Sequence, residues 1–167
     1  EFVEAAREIK LEFSNVNFQL LGFLGVSNRT AISHQQIQVW EVQGIIEYLG
    51  ETDDVRPYIA GVDCVILPSY REGLPRTLLE AAAMGRPIIA TNVTGCREVV
   101  EHGVNGYLCK ARDAYDLARK MKDMIKLSIV ERRNMGLMGR KRMEFYFDEK
   151  VIVEKIINRI ENVLNVA

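Results

Sequence analysis

Cysteine is sparse in this chain, long apolar runs are missing, and neither sign of charge prevails. The three cysteines, Cys64, Cys96 and Cys109, are odd in number and form no CxxC. That pattern points to reduced thiols in a cytosolic compartment and to no zinc site. No apolar run approaches the roughly 20 residues of a membrane helix, and no signal-peptide pattern appears. The formal net charge is -1, so no general attraction to nucleic acid is expected. Low-complexity tracts and internal repeats are also absent. What remains is ordinary for a soluble globular protein, with 48% hydrophobic and 27% charged residues. Its 167 residues are enough for one domain with its own core.

An initiator methionine is missing too. The chain opens at Glu1 and runs straight into EFVEAAREIK, where Phe2, Val3, Ala6 and Ile9 fall near helical spacing. No Ser, Thr, Asp or Asn caps this helix. The expectation is a segment cut from a longer chain, just before or inside a helix.

Further along, apolar runs alternate with amphipathic stretches. Strands are expected at 16–23, 45–50, 63–69, 86–92 and 106–110. A Gly/Ser/Asn loop follows the first. Helices are expected over HQQIQVWEVQG behind a Ser33 cap, over DDVRPYIAGV with Asp53 or Asp54 near its start, and over PRTLLEAAAMG with Pro75 in the first turn. CREVVEHG and, behind an Asp113 cap, AYDLARKMKDMI give two more. Two closing helices lie near 130–145 and 149–165. The near-continuous apolar run at 63–69 suits a strand covered on both faces. Alternation of this kind predicts an α/β fold, a Rossmann-like three-layer sandwich with a parallel sheet and right-handed crossovers. Ligands in such folds bind at the carboxyl ends of strands. Three loops qualify: those after Gly50, Pro68 and Thr91.

The loop after Pro68 carries the strongest chemistry. PSYREGLPRTLLE sets Glu72, Gly73 and Leu74 immediately before a helix N-terminus, where free N–H groups and the helix dipole favour an anion. Gly73 has no Cβ, so a phosphate could approach its backbone. Eight residues after Glu72, Glu80 sits among Leu78, Leu79 and Ala81 to Ala83. Buried there, its carboxylate would need a partner, and two ribose hydroxyls would serve. On the residues alone the alternatives stay open: a plain strand-to-helix turn, and a glutamate on a solvated stripe. Glu4 and Glu12 share the spacing but have no strand or turn before them.

The stretch PSYREGLPRTLLEAAAMGRPIIATNVTGCREVVEHGVNGYL closely resembles the nucleotide-sugar-binding half of retaining GT-B glycosyltransferases of the family 4 type. Glu72 and Glu80 match that family's glutamate pair. Gly85, Pro87 and Ala90 match its next element, and Gly95, Glu98, Gly103 and Gly106 its last. The likeness runs from the first helix to about residue 125. It implies that Glu80 holds the ribose hydroxyls and that Glu72, the catalytic candidate, faces the donor sugar near the anomeric carbon. The N–H groups of Gly73 and Leu74 would hold the diphosphate. Thr52, and more weakly Asp54, would line the nucleobase. The donor implied is a nucleoside diphosphate sugar, by analogy a UDP-sugar, used without metal or other cofactor. The implied setting is synthesis of polysaccharide or cell envelope in the bacterial cytoplasm, peripheral to the inner membrane face, with a glycan or membrane-associated lipid acceptor and no nucleic acid partner.

The family's basic R-x-x-x-x-K-G element follows the first strand of the domain and would lie before Glu1, as would the N-terminal acceptor domain. The expectation is therefore a C-terminal domain of a two-domain enzyme, inactive alone. Three alternatives stand beside this reading. A non-catalytic nucleotide-sugar-binding or interaction module would keep the fold and lose the chemistry. A dinucleotide-binding oxidoreductase lacks its G-x-G-x-x-G here. A sugar-nucleotide epimerase does not usually show this glutamate pair with these glycines. Arg71 has no assured role. His34 and His102 read as structural or exposed, and Trp40 as packing rather than stacking. The basic residues Arg132, Arg133, Arg140, Lys141 and Arg142 read as a solvated helix face rather than a lipid contact. Ile152, Ile156, Ile160 and Val163 form an apolar stripe on the last helix, partly exposed in this chain.

Overall fold

The computed structural model describes residues 1–25 and 31–164, without the side chain of Val163. Most of the loop expected after the first strand lies outside the described residues. Five strands alternate with helices: α1 (Phe2–Glu12), β1 (Gln19–Leu20), α2 (His34–Val42), β2 (Glu47–Tyr48), α3 (Arg56–Gly61), β3 (Val65–Leu67), α4 (Arg76–Ala83), β4 (Ile88–Thr91), α5 (Thr94–Val99), β5 (Gly106–Cys109), α6 (Ala114–Lys126), α7 (Ile129–Tyr146) and α8 (Glu149–Leu164).

Every pairing is parallel, but the strands fall into two groups. One has the order β1-β2 and the other β3-β4-β5. The regular strands are shorter than their apolar runs, most of all at 16–23, where two residues pair. The fully covered strand is β4, all four residues of which are buried. β3, expected to hold that place, has three half-buried residues because β4 lies on one edge only.

The pleat divides the core in two. Ile66, Ile89 and Cys109 point to a layer that includes Ala5, Ala6 and Ile9 of α1 and Leu117 and Met121 of α6. Val65, Leu67, Ile88, Ala90 and Leu108 point to the opposite layer, with Leu78, Ala81 and Ala82 of α4, Val99 of α5 and Met143 of α7. Cys96 and Cys109 are buried and Cys64 is half-buried.

Local chemistry explains the helix starts. The Ser33 and Asp113 side chains accept from Gln36 N–H at 3.2 Å and Asp116 N–H at 2.8 Å. Ser128 and Glu131 form a reciprocal capping box. Pro75 is the cap residue of α4 rather than part of its first turn. The helix expected at 96–103 instead begins at Thr94 and stops at Val99.

The basic cluster on α7 is not a uniformly solvated face. Arg132, with 19% of its side chain exposed, donates to the Leu127 carbonyl at 2.5 Å and so closes the end of α6. Arg142 donates to the Glu98 carbonyl at 3.1 Å and ties α7 to α5. Where α7 crosses α4, glycines let the backbones meet. A Cβ at Gly136 would stand 1.9 Å from the Gly85 carbonyl oxygen. His102 is structural, its Nδ1 accepting from Leu108 N–H at 2.9 Å, and Trp40 packs against the core. Along α8, Ile152, Ile156 and Ile160 are all exposed. No described helix is long and apolar enough to cross a membrane.

Candidate functional site

The site is assembled from the carboxyl ends of β2, β3 and β4. The β3–α4 loop presents Glu72, Gly73 and Leu74 just ahead of Pro75 and α4. Gly73 and Leu74 are exposed, Leu74 to 47%. A Cβ built on Gly73 would meet nothing within 4 Å. Among the described residues, neither of their N–H groups donates to a protein acceptor. Open space, free donors and the start of a helix therefore coincide.

Four contacts hold this loop, and they come from distant parts of the chain. The Thr91 hydroxyl, at the buried end of β4, donates to the Ser69 carbonyl. Gly95, at the start of α5, lies so close that a Cβ there would stand 1.5 Å from the Gly73 carbonyl oxygen. The Tyr70 hydroxyl donates to the Glu1 carboxylate at 2.7 Å, and the Arg112 guanidinium sits over its ring at 4.9 Å. The Glu1 hydrogen bond pushes the Tyr70 phenol up. Sequence reasoning picked out Gly95 as one glycine of a pattern, but Thr91 and Tyr70 escaped it. No spacing signal marks a contact between two loops 22 residues apart.

Glu72 lines a recess of about 430 Å³ with Tyr70, Arg71, Val93, Thr94 and Arg97. Its charge is felt at Cys96, whose thiol is pushed up by burial first and by Glu72 second. Glu80 lies on α4, half-buried with 34% of its side chain exposed. One turn back on the same face, Thr77 lines a larger cleft of about 1640 Å³ that also takes in Thr52 and Pro68. Glu80 accepts from Arg76 at 3.2 Å, an exposed pair that leaves the carboxylate accessible.

Thr52 and Asp54 form a tight turn at the cleft. The Asp54 N–H donates to Thr52 Oγ1, and that hydroxyl donates to the Asp54 carbonyl, both at 3.1 Å. Asp54 itself is gripped by Arg56, with Nε to Oδ1 at 2.7 Å and Nη2 to Oδ2 at 2.9 Å. That side-chain hydrogen bond holds its carboxyl below the usual aspartate value. The structure thus brings Glu72, Gly73 and Leu74 together on one loop and puts Glu80 on the helix that follows. Thr52 stands on the neighbouring loop, and Asp54 is committed to Arg56. Among the described residues no group of three His, Cys, Asp or Glu could hold a metal ion.

A parallel α/β domain with free N–H groups at the carboxyl end of a strand belongs to the broad class of phosphate- and nucleotide-binding folds. The chain belongs to the glycosyl transferases group 1, whose family model matches residues 1–126. It is 27% identical over 165 residues to the N,N'-diacetylbacillosaminyl-diphospho-undecaprenol alpha-1,3-N-acetylgalactosaminyltransferase of Campylobacter jejuni, covering 98% of this chain and 41% of that protein. It is 33% identical over 129 residues to the N-acetyl-alpha-D-glucosaminyl L-malate synthase of Bacillus anthracis, covering 77% of this chain and 32% of that protein. In fold it is similar to Anabaena Alr3699/HepE in complex with UDP, with a TM-score of 0.82 at 23% identity over 95% of this chain and 44% of that one. The chain therefore spans less than half the length of these relatives, and its Rossmann-like α/β fold is the one GT-B glycosyltransferases share.

Proposed function

We propose that this chain is the donor-binding domain of a retaining glycosyltransferase that transfers a sugar from a nucleoside diphosphate sugar, a UDP-sugar in the first instance. The acceptor is a glycan or a lipid-linked glycan. The remainder of the enzyme, including the acceptor domain, lies outside this chain. One observation carries the reading: the β3–α4 loop combines two unclaimed N–H groups, open space at Gly73 and the Glu72 carboxylate, with Glu80 in different surroundings on the helix that follows.

Each residue then has a distinct task. The Gly73 and Leu74 N–H groups take the diphosphate, and their importance grows as the leaving group gains negative charge. Glu80 accepts from the ribose hydroxyls in charge-assisted hydrogen bonds. Glu72 faces the sugar, where a carboxylate favours the positive charge that develops at the anomeric carbon. Thr52 lines the nucleobase, with Asp54 and Arg56 fixing the shape of its turn. No metal is assigned a role. The two glutamates are not a glycosidase acid/base pair, because Glu80 binds and does not transfer a proton. The names of the relatives support a cell-envelope or polysaccharide product and an acceptor presented at a membrane.

Calorimetry with UDP, GDP and ADP tests the reading. Weak binding with UDP preferred supports it. Absence of binding by all three at millimolar concentration overturns it.

A further inference from the structure

The recess that holds Glu72 also holds two arginines. Arg71 and Arg97 line it together with Tyr70, Val93 and Thr94. It shares no lining residue with the larger cleft that takes in Thr52 and Thr77. The cleft assigned to the nucleotide and this recess are therefore separate, and Glu72 stands on the recess side. Arg112 joins the group from the loop after β5, with its guanidinium 4.9 Å from the centre of the Tyr70 ring. The three arginines thus follow the carboxyl ends of β3, β4 and β5, where the ligands of such sheets bind.

Their charges are not met inside the protein. Arg56, Arg76, Arg119 and three arginines of α7 pair with carboxylates. Among the described residues, Arg71, Arg97 and Arg112 pair with none. Arg97 is nevertheless fixed in place. Its Nη1 donates to the Asn92 carbonyl at 3.2 Å and to Asn92 Oδ1 at 3.1 Å, and its Nη2 donates to Thr94 Oγ1 at 3.3 Å. All these acceptors are neutral, and the Nε–H has no protein acceptor among the described residues. A guanidinium that is positioned but not neutralised is ready for an anion from outside. Arg112 is held by the face of the Tyr70 ring. Its backbone lies at φ 59, a left-handed conformation that a non-glycine residue adopts at a cost. Tyr70 is anchored in turn through its hydroxyl on Glu1.

The donor gives these cations little to do. Its diphosphate is assigned to the Gly73 and Leu74 N–H groups, and its sugar to Glu72. An acceptor hydroxyl is neutral and needs no guanidinium. A phosphate ester close to that hydroxyl does, because it stays charged at neutral pH and spreads its charge over several oxygens. Cations drawn from three loops suit such a group better than they suit a single carboxylate.

We propose that Arg71, Arg97 and Arg112 form a second anion site, which takes the phosphate or diphosphate that attaches the acceptor glycan to its carrier. The proposal rests on the reading that Glu72 faces the donor sugar, since that reading puts the acceptor on the recess side. Arg97 and Arg71 bind the phosphate oxygens, and Arg112 adds its charge at the rim. Holding this group sets the distance from the acceptor hydroxyl to the anomeric carbon. It also selects carrier-linked glycans over free ones.

NMR on the full-length protein, with isotope-labelled arginine and saturating UDP, tests it. Millimolar geranyl diphosphate shifts the Nε–H signals of Arg71, Arg97 and Arg112, assigned from Arg71→Gln, Arg97→Gln and Arg112→Gln. Neutral geranyl β-glucoside does not shift them. Arg97→Gln weakens the affinity for geranyl diphosphate by at least about tenfold and leaves that for UDP within about threefold. With a UDP-sugar donor, the same variant raises KM for a diphosphate-linked glycan by a similar factor and leaves KM for the phosphate-free glycan unchanged. Absence of the arginine shifts overturns the proposal. Shifts seen only without UDP overturn it too, because the probe then occupies the place of the nucleotide diphosphate. Equal shifts with inorganic phosphate at the same concentration reduce the feature to a general attraction for anions and overturn it. An Arg97→Gln loss confined to UDP-glucuronic acid, with UDP-glucose unaffected, overturns it in favour of an acidic donor sugar. If UDP itself does not bind while geranyl diphosphate still shifts the three signals, the nucleotide reading fails and the anion site stands.

Discussion

Gly95 and Gly73 touch through their backbones, so closely that no side chain fits at position 95. The contact presses the start of α5 against the loop that carries Glu72. It joins the Thr91–Ser69 hydrogen bond in bringing β4 and its following helix to bear directly on the donor loop, and it is a matter of shape rather than charge.

Gly95→Ala should therefore move the loop. The added methyl meets a backbone carbonyl, which cannot rotate away as a side chain could. The expected outcome is at least a tenfold loss of UDP affinity by calorimetry, with a stability loss of about 1–3 kcal/mol from overpacking. Unchanged affinity would show that Gly73 and Leu74 do not depend on this support.

Glu80→Ala should weaken UDP binding by about 30- to 150-fold, the loss of two charge-assisted hydrogen bonds worth about 2–3 kcal/mol. Its ion pair with Arg76 is exposed, so stability should stay within about 0.5 kcal/mol. The parent should also lose affinity for 2′-deoxy-UDP, and the variant should no longer distinguish the two nucleotides. Equal discrimination by both proteins would remove Glu80 from the ribose.

Glu72→Ala, made in the full-length enzyme, should lower kcat far more than nucleotide affinity. Its recess lies beside the loop, and its contribution belongs to the transition state. Steady-state kinetics with a UDP-sugar and a separate UDP titration distinguish the cases. A change confined to UDP affinity would move Glu72 to the nucleotide.

Gly136→Ala should destabilise without touching the site. The new Cβ stands 1.9 Å from the Gly85 carbonyl, so α7 must lift from α4. The cost of about 1–3 kcal/mol corresponds to a fall in Tm of about 2–10 °C. UDP affinity measured well below Tm should be unchanged.

Asp116 carries a pH dependence. Burial alone would raise its pKa, but hydrogen bonds from Lys110 N–H at 2.8 Å and from Arg119 outweigh it and hold the carboxyl below the usual value of 3.8. A carboxyl lowered in the folded state stabilises the fold above the ordinary value and loses that contribution as pH falls through the lowered one. Asp116→Asn should thus lower stability at pH 7, by about 1–2 kcal/mol. In denaturant titrations the difference should shrink below pH 4. A difference independent of pH would assign the effect to packing.

Much of the order of elements was legible because it rests on local chemistry. Ser33 and Asp113 are caps by residue type and position, and five apolar runs gave five strands in order. What was lost depends on distant partners. β1 shrank from an eight-residue run to two residues because only one of its edges is paired. Arg132 and Arg142 looked solvated because their acceptors are carbonyls, which leave no trace in a charge pattern. Near the candidate site, the position of Glu72, Gly73 and Leu74 just before a helix start, with Glu80 within that helix, was legible, whereas their suggested roles came from the family resemblance. Of its supports, Gly95 was marked only as one glycine of a pattern, and Thr91 and Tyr70 were not marked at all, since each acts across a fold that must exist before the contact does.

The two buried thiols and the half-buried Cys64 have a practical consequence. Burial pushes the Cys64 thiol up to about 12 and that of Cys109 up to about 11, and Cys96 moves the same way. At neutral pH almost no thiolate is available to a maleimide. These three thiols should therefore react with alkylating dyes more slowly than an exposed cysteine. A single cysteine introduced at exposed Thr77, on the rim of the cleft, should be labelled first, giving a fluorescent reporter of ligand arrival in an otherwise unaltered sequence.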